Sequence, residues 1–508
     1  MKLKIFRVIF AVIFFLLYFF TLFTSWRLSV LLFQYLTFLQ VLPSFIKFIM
    51  MGINVFALGW LFILLFTLLA GRWYCSFLCP LGIIQDIFIR LRFFLKKKFK
   101  YISSFHKVQY LILGIIILSV AGGSFIFLQL LDPFSFSTRI LTGVFYPLYS
   151  FVSQSLLQGL RELNIYYNYH PEYSGLDAVF YIFYFCCFLA IACLSFFRGR
   201  LYCNLICPLG FVLGLVSRIS LYRLQLDQNR CTRCGECEKV CKAGCINLAA
   251  PKIDIERCVY CFNCLAVCRF DAVHYTNVFH LHKINQYERR DFLRCSAPLL
   301  WVLAAGAVLP FKTLLSRKII TNPHLPAVPP GASGVEHLIN HCTGCSACIN
   351  ICPTRVLQPG LKEYSASGIL MPYMDYDKGF CEYECNLCTR VCPTGALQPL
   401  TVAAKKKVQL GQVRLVKDYC IVYRYGDQCG ACAEHCPTKA VFMVPWQGIS
   451  APEVRPHICT GCGACENVCP ARPEKAVTVT PLPVHKKIEA LPQSGEEPPD
   501  QGRERFPF

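Results

Sequence analysis

Long apolar runs dominate the first 200 residues of this chain. Four of them are nearly unbroken and span residues 5–25, 44–70, 108–131 and 176–197. A helix of such length crosses the roughly 30 Å hydrocarbon core of a bilayer. Because four such runs rarely occur in one soluble domain, the pattern predicts an α-helical membrane domain with four spans over residues 1–226.

The basic residues predict how these spans are oriented. Three lie at the start of the first run, six follow the second run between residues 90 and 100, and two follow the fourth run. The predicted loop 132–175 holds only Arg139 and Arg161. Since cytoplasmic loops carry an excess of Lys and Arg, both ends of the four-span unit are predicted to face the cytoplasm.

Composition agrees with a large lipid-facing part, because 55% of residues are hydrophobic and only 16% are charged. The formal charge of +21 is explained by the span ends and by counting 33 cysteines as neutral. Six iron–sulfur clusters of charge about −2 each would bring it to roughly +9. The charge therefore predicts no nucleic-acid partner.

Two copies of one motif follow the second and fourth runs, GRWYCSFLCPLG at 71–82 and GRLYCNLICPLG at 199–210. Both copies are predicted to lie at the cytoplasmic membrane surface, where their thiols could converge. Three interpretations stay open: one shared metal or iron–sulfur site, two redox-active thiol pairs, or cysteines that only fill space. The residues concerned are Cys75, Cys79, Cys203 and Cys207.

Residues 231–241 and 258–268 both have the spacing C-x2-C-x2-C-x3-C of two-cluster ferredoxins. In such a pair the fourth cysteine of each motif ligates the other cluster. Lys242 and Arg269 replace the usual proline after that cysteine, and Cys245 is an alternative to Cys241. The spacing predicts a cytoplasmic two-cluster domain over 227–280. The predicted ligand sets are Cys231, Cys234, Cys237 and Cys268 for one cluster, and Cys258, Cys261, Cys264 and Cys241 for the other.

Four further motifs occupy 342–353, 381–393, 420–437 and 459–470, and each ends in C-x2-C-x3-C-P. A zinc site would favour two C-x2-C pairs, and a disulfide framework would be spaced irregularly. The motifs therefore predict four more [4Fe-4S] clusters in a domain over 342–480, with adjacent or nested pairing of the fourth cysteines. The predicted ligands are Cys342, Cys345, Cys348, Cys352, Cys381, Cys385, Cys388, Cys392, Cys420, Cys429, Cys432, Cys436, Cys459, Cys462, Cys465 and Cys469.

The stretch QYERRDFLRC at 286–295 precedes the apolar run SAPLLWVLAAGAVLP. Two arginines before such a run are typical of a twin-arginine export signal, and the plain alternative is the cytoplasmic end of a fifth span. Either interpretation leads the chain outward over 286–312 and places the last domain in the periplasm. Residues 313–341 are predicted to be a linker, and residues 481–508 a disordered tail.

The repeated motif, the four spans and the first cluster pair resemble the NapH/MauN family of membrane iron–sulfur proteins, related to the C-terminal half of NosR. From RRDFL onward the chain resembles NapG/MauM four-cluster ferredoxins, most specifically in the C-x8-C-x2-C-x3-CP spacing of the third motif. The resemblance implies a fusion of the two in a bacterial inner membrane. It also implies electron transfer between the quinone pool and a periplasmic reductase or cytochrome.

The overall prediction is a membrane domain with small α+β bacterial-ferredoxin-type domains on both sides. No G-x-G-x-x-G or C-x-x-C-H motif is present, and no histidine lies within an apolar run, so no haem is expected in this chain. Quinone, the repeated cysteines or a partner must then bridge about 30 Å of hydrocarbon. An alternative function is a maturation factor that supplies electrons or thiols to a periplasmic metalloenzyme.

Overall fold

The computed structural model describes most of the chain outside residues 278–324. The described ranges are 2–24, 27–52, 55–95, 99–101, 103, 106–121, 126–162, 175–249, 251–277, 325–364 and 368–488. The predicted export segment 286–312 lies outside them, as do Arg289, Arg290 and Cys295.

Helices fill the first 217 residues. In chain order they are α1 Lys2–Phe23, α2 Arg27–Phe38, α3 Val41–Met51, α4 Gly59–Ala70, α5 Tyr74–Phe77, α6 Pro80–Phe94, α7 His106–Ala121, α8 Ile126–Leu131, α9 Pro133–Ile140, α10 Tyr146–Glu162, α11 Ala178–Arg198, α12 Leu201–Leu205 and α13 Pro208–Ser217. Within the described residues, three helices are long and apolar enough to cross a membrane: Lys2–Phe23, Pro133–Glu162 and Ala178–Arg198. A fourth crossing results if the pair α2 and α3, which is bent by 89°, is one span.

The predicted second span, 44–70, is wrong as a single helix. It is divided into α3, a 3-10 turn at Val55–Ala57 and α4. Gly52 ends α3 with φ at +70°, a backbone conformation that favours glycine over residues with a side chain. In the third run, 108–131, the described helices are α7 and α8, and residues 122–125 lie outside the described residues.

The predicted loop 132–175 is also wrong, because α9 and α10 join through a π-helical turn at Leu141–Phe145 into one 30-residue helix. Asp132 caps its start by accepting a hydrogen bond from the Ser135 amide, and Pro133 takes the first helical position. Hydroxyl groups interrupt its apolar pattern. Several of them donate to carbonyls one turn back, as Thr138 does to Phe134, so their polarity is satisfied within the helix.

The first ferredoxin unit contains α14 Glu236–Lys239, α15 Asn263–Val267 and two antiparallel strand pairs. The pairs are β1 Tyr222–Leu226 with β4 Val273–Asn277, and β2 Ile246–Asn247 with β3 Lys252–Ile253. The unit therefore begins at 222, a few residues before the predicted boundary, because β1 is needed to pair with β4.

The second ferredoxin unit extends over the described residues from 325 to 488. Its helices are α16 Val335–His341, α17 Ala347–Asn350, α18 Leu387–Arg390, α19 Val402–Lys406, α20 Ile421–Tyr425, α21 Ala431–Glu434 and α22 Ala464–Asn467. Its antiparallel pairs are β5 Leu357–Pro359 with β6 Pro372–Met374, β8 Val441–Trp446 with β9 Ile449–Val454, and β7 Val408–Leu415 with β10 Val477–Lys487.

Both predicted boundaries of this second unit need correction. Ala327, Val328 and Ala332 from the predicted linker are buried in its core, because their small apolar side chains pack against the unit. At the other end, β10 runs to Lys487, seven residues into the predicted tail, because its amides and carbonyls pair with β7.

The two ferredoxin units attach near opposite ends of α1, the first of them through Asp86 of α6. Arg7 near the start of α1 forms an ion pair with Asp86, which also binds Lys242 of the first unit. Near its end, the Leu22 carbonyl accepts a hydrogen bond from Asn350 of the second unit. At 1.5 Å per residue, these contacts lie about 22 Å apart along the helix. Since Tyr18 and Phe134 share a core with Val335, the second unit is partly embedded in the bundle. The contacts of the two units are therefore closer together than the 30 Å of hydrocarbon expected from the sequence.

Candidate iron–sulfur sites

The two CP repeats have the same local structure. In each, a short helix (α5 or α12) ends before the second cysteine, and proline begins the next helix (α6 or α13). Proline at this first position lacks only an N–H group that would have no partner within the helix. The Cys207 sulfur also accepts a hydrogen bond from the Gly210 amide at 3.3 Å. The turn thus fixes where each thiol lies.

The structure brings the four repeat thiols, here called the CP site, into one buried group. Each of the four residues is at most 5% exposed. Burial raises the pKa of Cys207 well above its usual range, and the neighbouring thiols of Cys203, Cys79 and Cys75 raise it further. Burial and the same kind of neighbours raise the pKa of Cys79. As free thiols these groups would be protonated and unreactive, which disfavours a redox-active thiol pair.

Two arginines cross between the repeats and enclose this site. Arg72 is 1% exposed and donates to the Cys75 sulfur at 3.6 Å and to the Cys203 carbonyl at 3.3 Å. Arg200 is fully buried and donates to the Cys75 carbonyl at 3.2 Å and to the Cys203 sulfur at 3.9 Å. Each arginine therefore contacts both halves of the CP site.

The charge of these arginines tests whether a metal–thiolate group fits. Arg200 forms an ion pair with Asp86, whose carboxylate oxygen lies 2.6 Å from it and which also binds Arg7 and Lys242. Arg72 has no carboxylate partner among the described residues, and a buried cation without a counter-charge is costly. Thiolates bound to iron supply that negative charge. The donor set and its surroundings therefore fit an anionic iron–sulfur group.

Within the described residues, no group of three or more His, Cys, Asp or Glu side chains is spaced to hold a single metal ion.

The first ferredoxin unit gathers its motif thiols into two groups. Group one consists of Cys231, Cys234, Cys237 and Cys268, which line one small cavity. Group two consists of Cys258, Cys261, Cys264 and Cys241; burial raises the pKa of Cys264, and its three partners raise it further. The Cys245 sulfur lies 3.5 Å from that of Cys241 and also contacts Cys258, so Cys245 borders group two.

The second ferredoxin unit gathers its sixteen thiols into four groups, and the arrangement corresponds to adjacent pairing of the motifs. In every group, three thiols come from one motif and the fourth comes from the neighbouring motif. Group three is Cys342, Cys345, Cys348 and Cys392; group four is Cys381, Cys385, Cys388 and Cys352; group five is Cys459, Cys462, Cys465 and Cys436; group six is Cys420, Cys429, Cys432 and Cys469.

Hydrogen bonds connect these groups in one order. Ser76 of the first CP repeat donates to the Val259 carbonyl, next to Cys258 of group two, at 2.6 Å. On the opposite side of the CP site, Tyr202 donates to the Leu131 carbonyl at 3.1 Å. Two residues earlier, Gln129 donates to the Cys342 carbonyl of group three at 2.8 Å. The CP site therefore lies between the two ferredoxin units.

The order continues through the second unit. The Cys381 amide of group four donates to the Cys462 carbonyl of group five at 2.8 Å. Groups three and four share two motifs, and groups five and six share the other two. The sequence of sites is thus one, two, CP, three, four, five and six.

The sequence predicted the thiols but not the residues that surround them. Arg72, Arg200, Asp86 and Gln129 were not predicted to have a role. The one available signal was the repeated arginine of the GRxYC motif, which occurs at the same position in both copies. Asp86 and Gln129 have no counterpart in the repeat, so only the fold reveals them.

Comparison with known proteins gives family matches to the CP repeats and to parts of both ferredoxin units. A family described as "4Fe-4S binding domain" matches residues 55–101 and 181–225, which contain the two CP repeats. Another "4Fe-4S binding domain" family matches 224–247, and a "4Fe-4S dicluster domain" family matches 341–396 and 427–472. No solved structure matches the chain.

Three curated relatives each match about a third of this chain. The ferredoxin-type protein NapF of Escherichia coli K12 is 31% identical over 159 residues, which are 31% of this chain and 86% of that protein. The chain belongs to the family of NapF-type ferredoxins. NapF of Haemophilus influenzae is 27% identical over 155 residues, 30% of this chain and 78% of that protein. An uncharacterized protein of Methanocaldococcus jannaschii is 26% identical over 183 residues, 35% of this chain and 62% of that protein.

These findings establish an iron–sulfur, ferredoxin-type electron-transfer protein with several 4Fe-4S domains. Its described helices are long and apolar enough for a membrane location.

Proposed function

We propose that this chain is a membrane-bound polyferredoxin that passes electrons between the quinone pool and a periplasmic oxidoreductase. The observation that carries the proposal is the unbroken order of thiol groups, in which the CP site connects the two ferredoxin units. A protein that only stored clusters or served as a scaffold would not need a thiol site between its two ferredoxin units.

In this proposal the six ferredoxin groups hold six [4Fe-4S] clusters, and the CP site holds a shared iron–sulfur centre. Clusters supply one-electron carriers when bound. The match of both CP repeats to a 4Fe-4S family and the buried charge of Arg72 support the seventh centre. The protein's own contribution is to hold the thiols, exclude water and set the charge around each group.

A cavity of about 630 Å³ supports a role for quinone. It lies between α1, α6 and the first ferredoxin unit, and Val8, Val12 and Ile87 form part of its apolar lining. Its charged lining includes Asp86 and Lys242, and the latter follows Cys241 of group two. This size and mixture of surfaces suit an amphipathic small molecule. We place the quinone head here, beside group two.

The opposite positions of the two ferredoxin units along α1 support placing the second unit in the periplasm. A cluster-loaded domain must cross the membrane already folded, which twin-arginine export provides. Replacing Arg289 and Arg290 by Lys is expected to leave the second unit on the cytoplasmic side. Protease protection in spheroplasts would show this, and normal export of the variant would contradict that part of the proposal.

The function is tested by mixing the purified, oxidised protein with a quinol analogue while recording its EPR spectrum. We expect iron and sulfide above about 24 atoms per chain and reduction of at least one centre. Iron near 24 with no quinol-dependent signal would contradict the conduit. Restored activity of a partner metalloenzyme without sustained turnover would instead favour a maturation factor.

A further inference from the structure

Arg72 and Arg200 occupy equivalent positions in the two CP repeats, yet their partners differ. Arg200 binds the carboxylate of Asp86, through two guanidinium nitrogens at 3.2 and 2.6 Å. Arg72 donates instead to the backbone carbonyl of Glu256 at 2.6 Å and to Asn204 at 3.2 Å. One guanidinium is therefore paired with a charge, and the other is held only by neutral groups and by the thiols.

The repeat alignment explains this asymmetry. The residue equivalent to Asp86 in the second repeat is Gly214. A β-carbon at Gly214 would lie 2.7 Å from the Glu256 carbonyl oxygen, so no carboxylate fits there. The ferredoxin loop takes the place of the missing side chain. Glu256 precedes Cys258 of group two by two residues, and its own carboxylate pairs with Arg218.

We propose that Arg72 is a positioning residue that supplies the uncompensated positive charge of the CP site and joins that site to the loop of group two. This inference rests on the proposed function, since it assumes an iron–sulfur centre at the CP thiols. Adding an electron to such a centre increases its negative charge. A nearby cation that has no carboxylate partner therefore stabilises the reduced state, whereas the charge of Arg200 is partly offset by Asp86, which also binds Arg7 and Lys242.

Two variants test this charge in opposite directions. Arg72→Gln removes the uncompensated cation, so the centre should become harder to reduce. Asp86→Asn removes the anion that partly offsets the charge of Arg200, so the centre should become easier to reduce. We expect at least a tenfold change in the ratio of reduced to oxidised centre at a fixed potential for Arg72→Gln, which equals 59 mV for a one-electron couple.

The measurement is an EPR-monitored redox titration of the full-length protein in detergent, in which the CP signal is the one that Cys203→Ser abolishes. Arg72→Lys keeps the charge and should retain most of the wild-type potential. Arg92→Gln is a matched control, because Arg92 donates to the carbonyl groups of Phe196 and Phe197 near the end of α11. Its titration should equal that of wild type.

Maleimide labelling with peptide mapping gives a second readout that needs no redox signal. In Arg72→Gln we expect alkylation of the four CP thiols at least tenfold faster than in wild type, while the thiols of groups one to six stay protected. This arm remains informative if the variant loses the centre entirely.

The shared centre and the role of Arg72 are contradicted by different results. If wild type has no signal that depends on Cys203 and its iron content equals that of Cys203→Ser, the shared centre and the conduit built on it are wrong. If the centre is present but Arg72→Gln changes neither its potential nor thiol protection, only the role of Arg72 is overturned. A shift of Asp86→Asn in the same direction as Arg72→Gln would also overturn it.

Discussion

Gly82 and Gly210 occupy equivalent places in the two CPLG turns, and neither position has room for a β-carbon. At Gly82 it would lie 2.3 Å from the Cys75 carbonyl oxygen and 2.5 Å from a nitrogen of Arg200. At Gly210 it would lie 2.2 Å from the Cys203 carbonyl oxygen and 3.1 Å from a nitrogen of Arg72. Glycine therefore allows each arginine to reach across to the other repeat.

Gly82→Ala should consequently damage the CP site. We expect a loss of about 1–3 kcal/mol in the stability of the membrane domain, because the carbonyl or the arginine must shift. Thermal unfolding followed by scanning fluorimetry, together with iron content, measures this. Gly159→Ala is the control, since no atom lies within 4 Å of the added carbon, and it should be neutral or slightly stabilising. Equal behaviour of the two variants would contradict the packing described here.

The thiols illustrate what the sequence reveals at this scale. Cysteine spacing predicts which residues belong to a ferredoxin motif, because ligation of a cubane requires three thiols in a short loop. It does not predict that Cys392 joins group three or that Cys352 joins group four. Those partners depend on how two motifs pack, which is a tertiary property.

Among the elements, the apolar helices α1 and α11 were predicted well from hydropathy. The helices α9 and α10 were not. The first two are continuous in leucine, isoleucine and phenylalanine. The long helix Pro133–Glu162 instead mixes Ser, Thr, Gln and Tyr into its sequence, and its mean hydropathy is only 1.2 against 2.5 for α1. The break after α3 was equally hidden, because Gly52 interrupts the helix without interrupting the apolar run.

Strand β10 carries a partly buried histidine, His485, that predicts a pH dependence. Burial lowers the pKa of His485 to about 4, and both ring nitrogens lack a partner among the described residues. Between pH 6.5 and 4 the unfolded chain binds a proton that the folded chain does not. The second ferredoxin unit should therefore lose stability as the pH falls through this range.

His485→Phe should reduce that loss by about 1 kcal/mol between pH 7 and pH 5. Thermal unfolding of the full chain at the two pH values measures the difference. His435→Gln is the control, because this ring is exposed, and it should leave the acid sensitivity unchanged. If His485→Phe is as sensitive to acid as wild type, then the partly buried ring is not the cause.

For the whole molecule, the contact between the helical bundle and the second ferredoxin unit changes the expected picture of a tethered domain. Arg139 is buried and donates to the carbonyls of Thr343 and Gly344 at 2.8 and 2.7 Å. Lys378 pairs with Asp177 at the start of α11, at 2.5 Å. Apolar side chains of both parts share one core. The sequence indicated two separate domains because an interface between distant segments leaves no periodic pattern.

Cutting the chain within 313–324, after the apolar run, should therefore not release the second unit. A site-specific protease sequence is inserted there and cleaved in washed membranes, and both fragments are then followed by sedimentation and immunoblotting. We expect the second unit to remain with the membrane fraction through a high-salt wash, since apolar side chains of both parts share one core. Arg139→Leu in the same background should increase release several-fold, because the Thr343 and Gly344 carbonyls lose their donor. Complete release from the parent protein would show that only the chain connection held the unit.

Electron transfer across a sealed membrane tests the central claim most directly. The protein is reconstituted into liposomes that contain ferricyanide, and a reductant that does not cross lipid is added outside. Wild type should reduce the trapped ferricyanide. Cys203→Ser should not, although its iron content should stay near 24 atoms per chain in the ferredoxin units. Equal rates for the two proteins, or no transfer by wild type, would contradict a conduit that runs through the CP site.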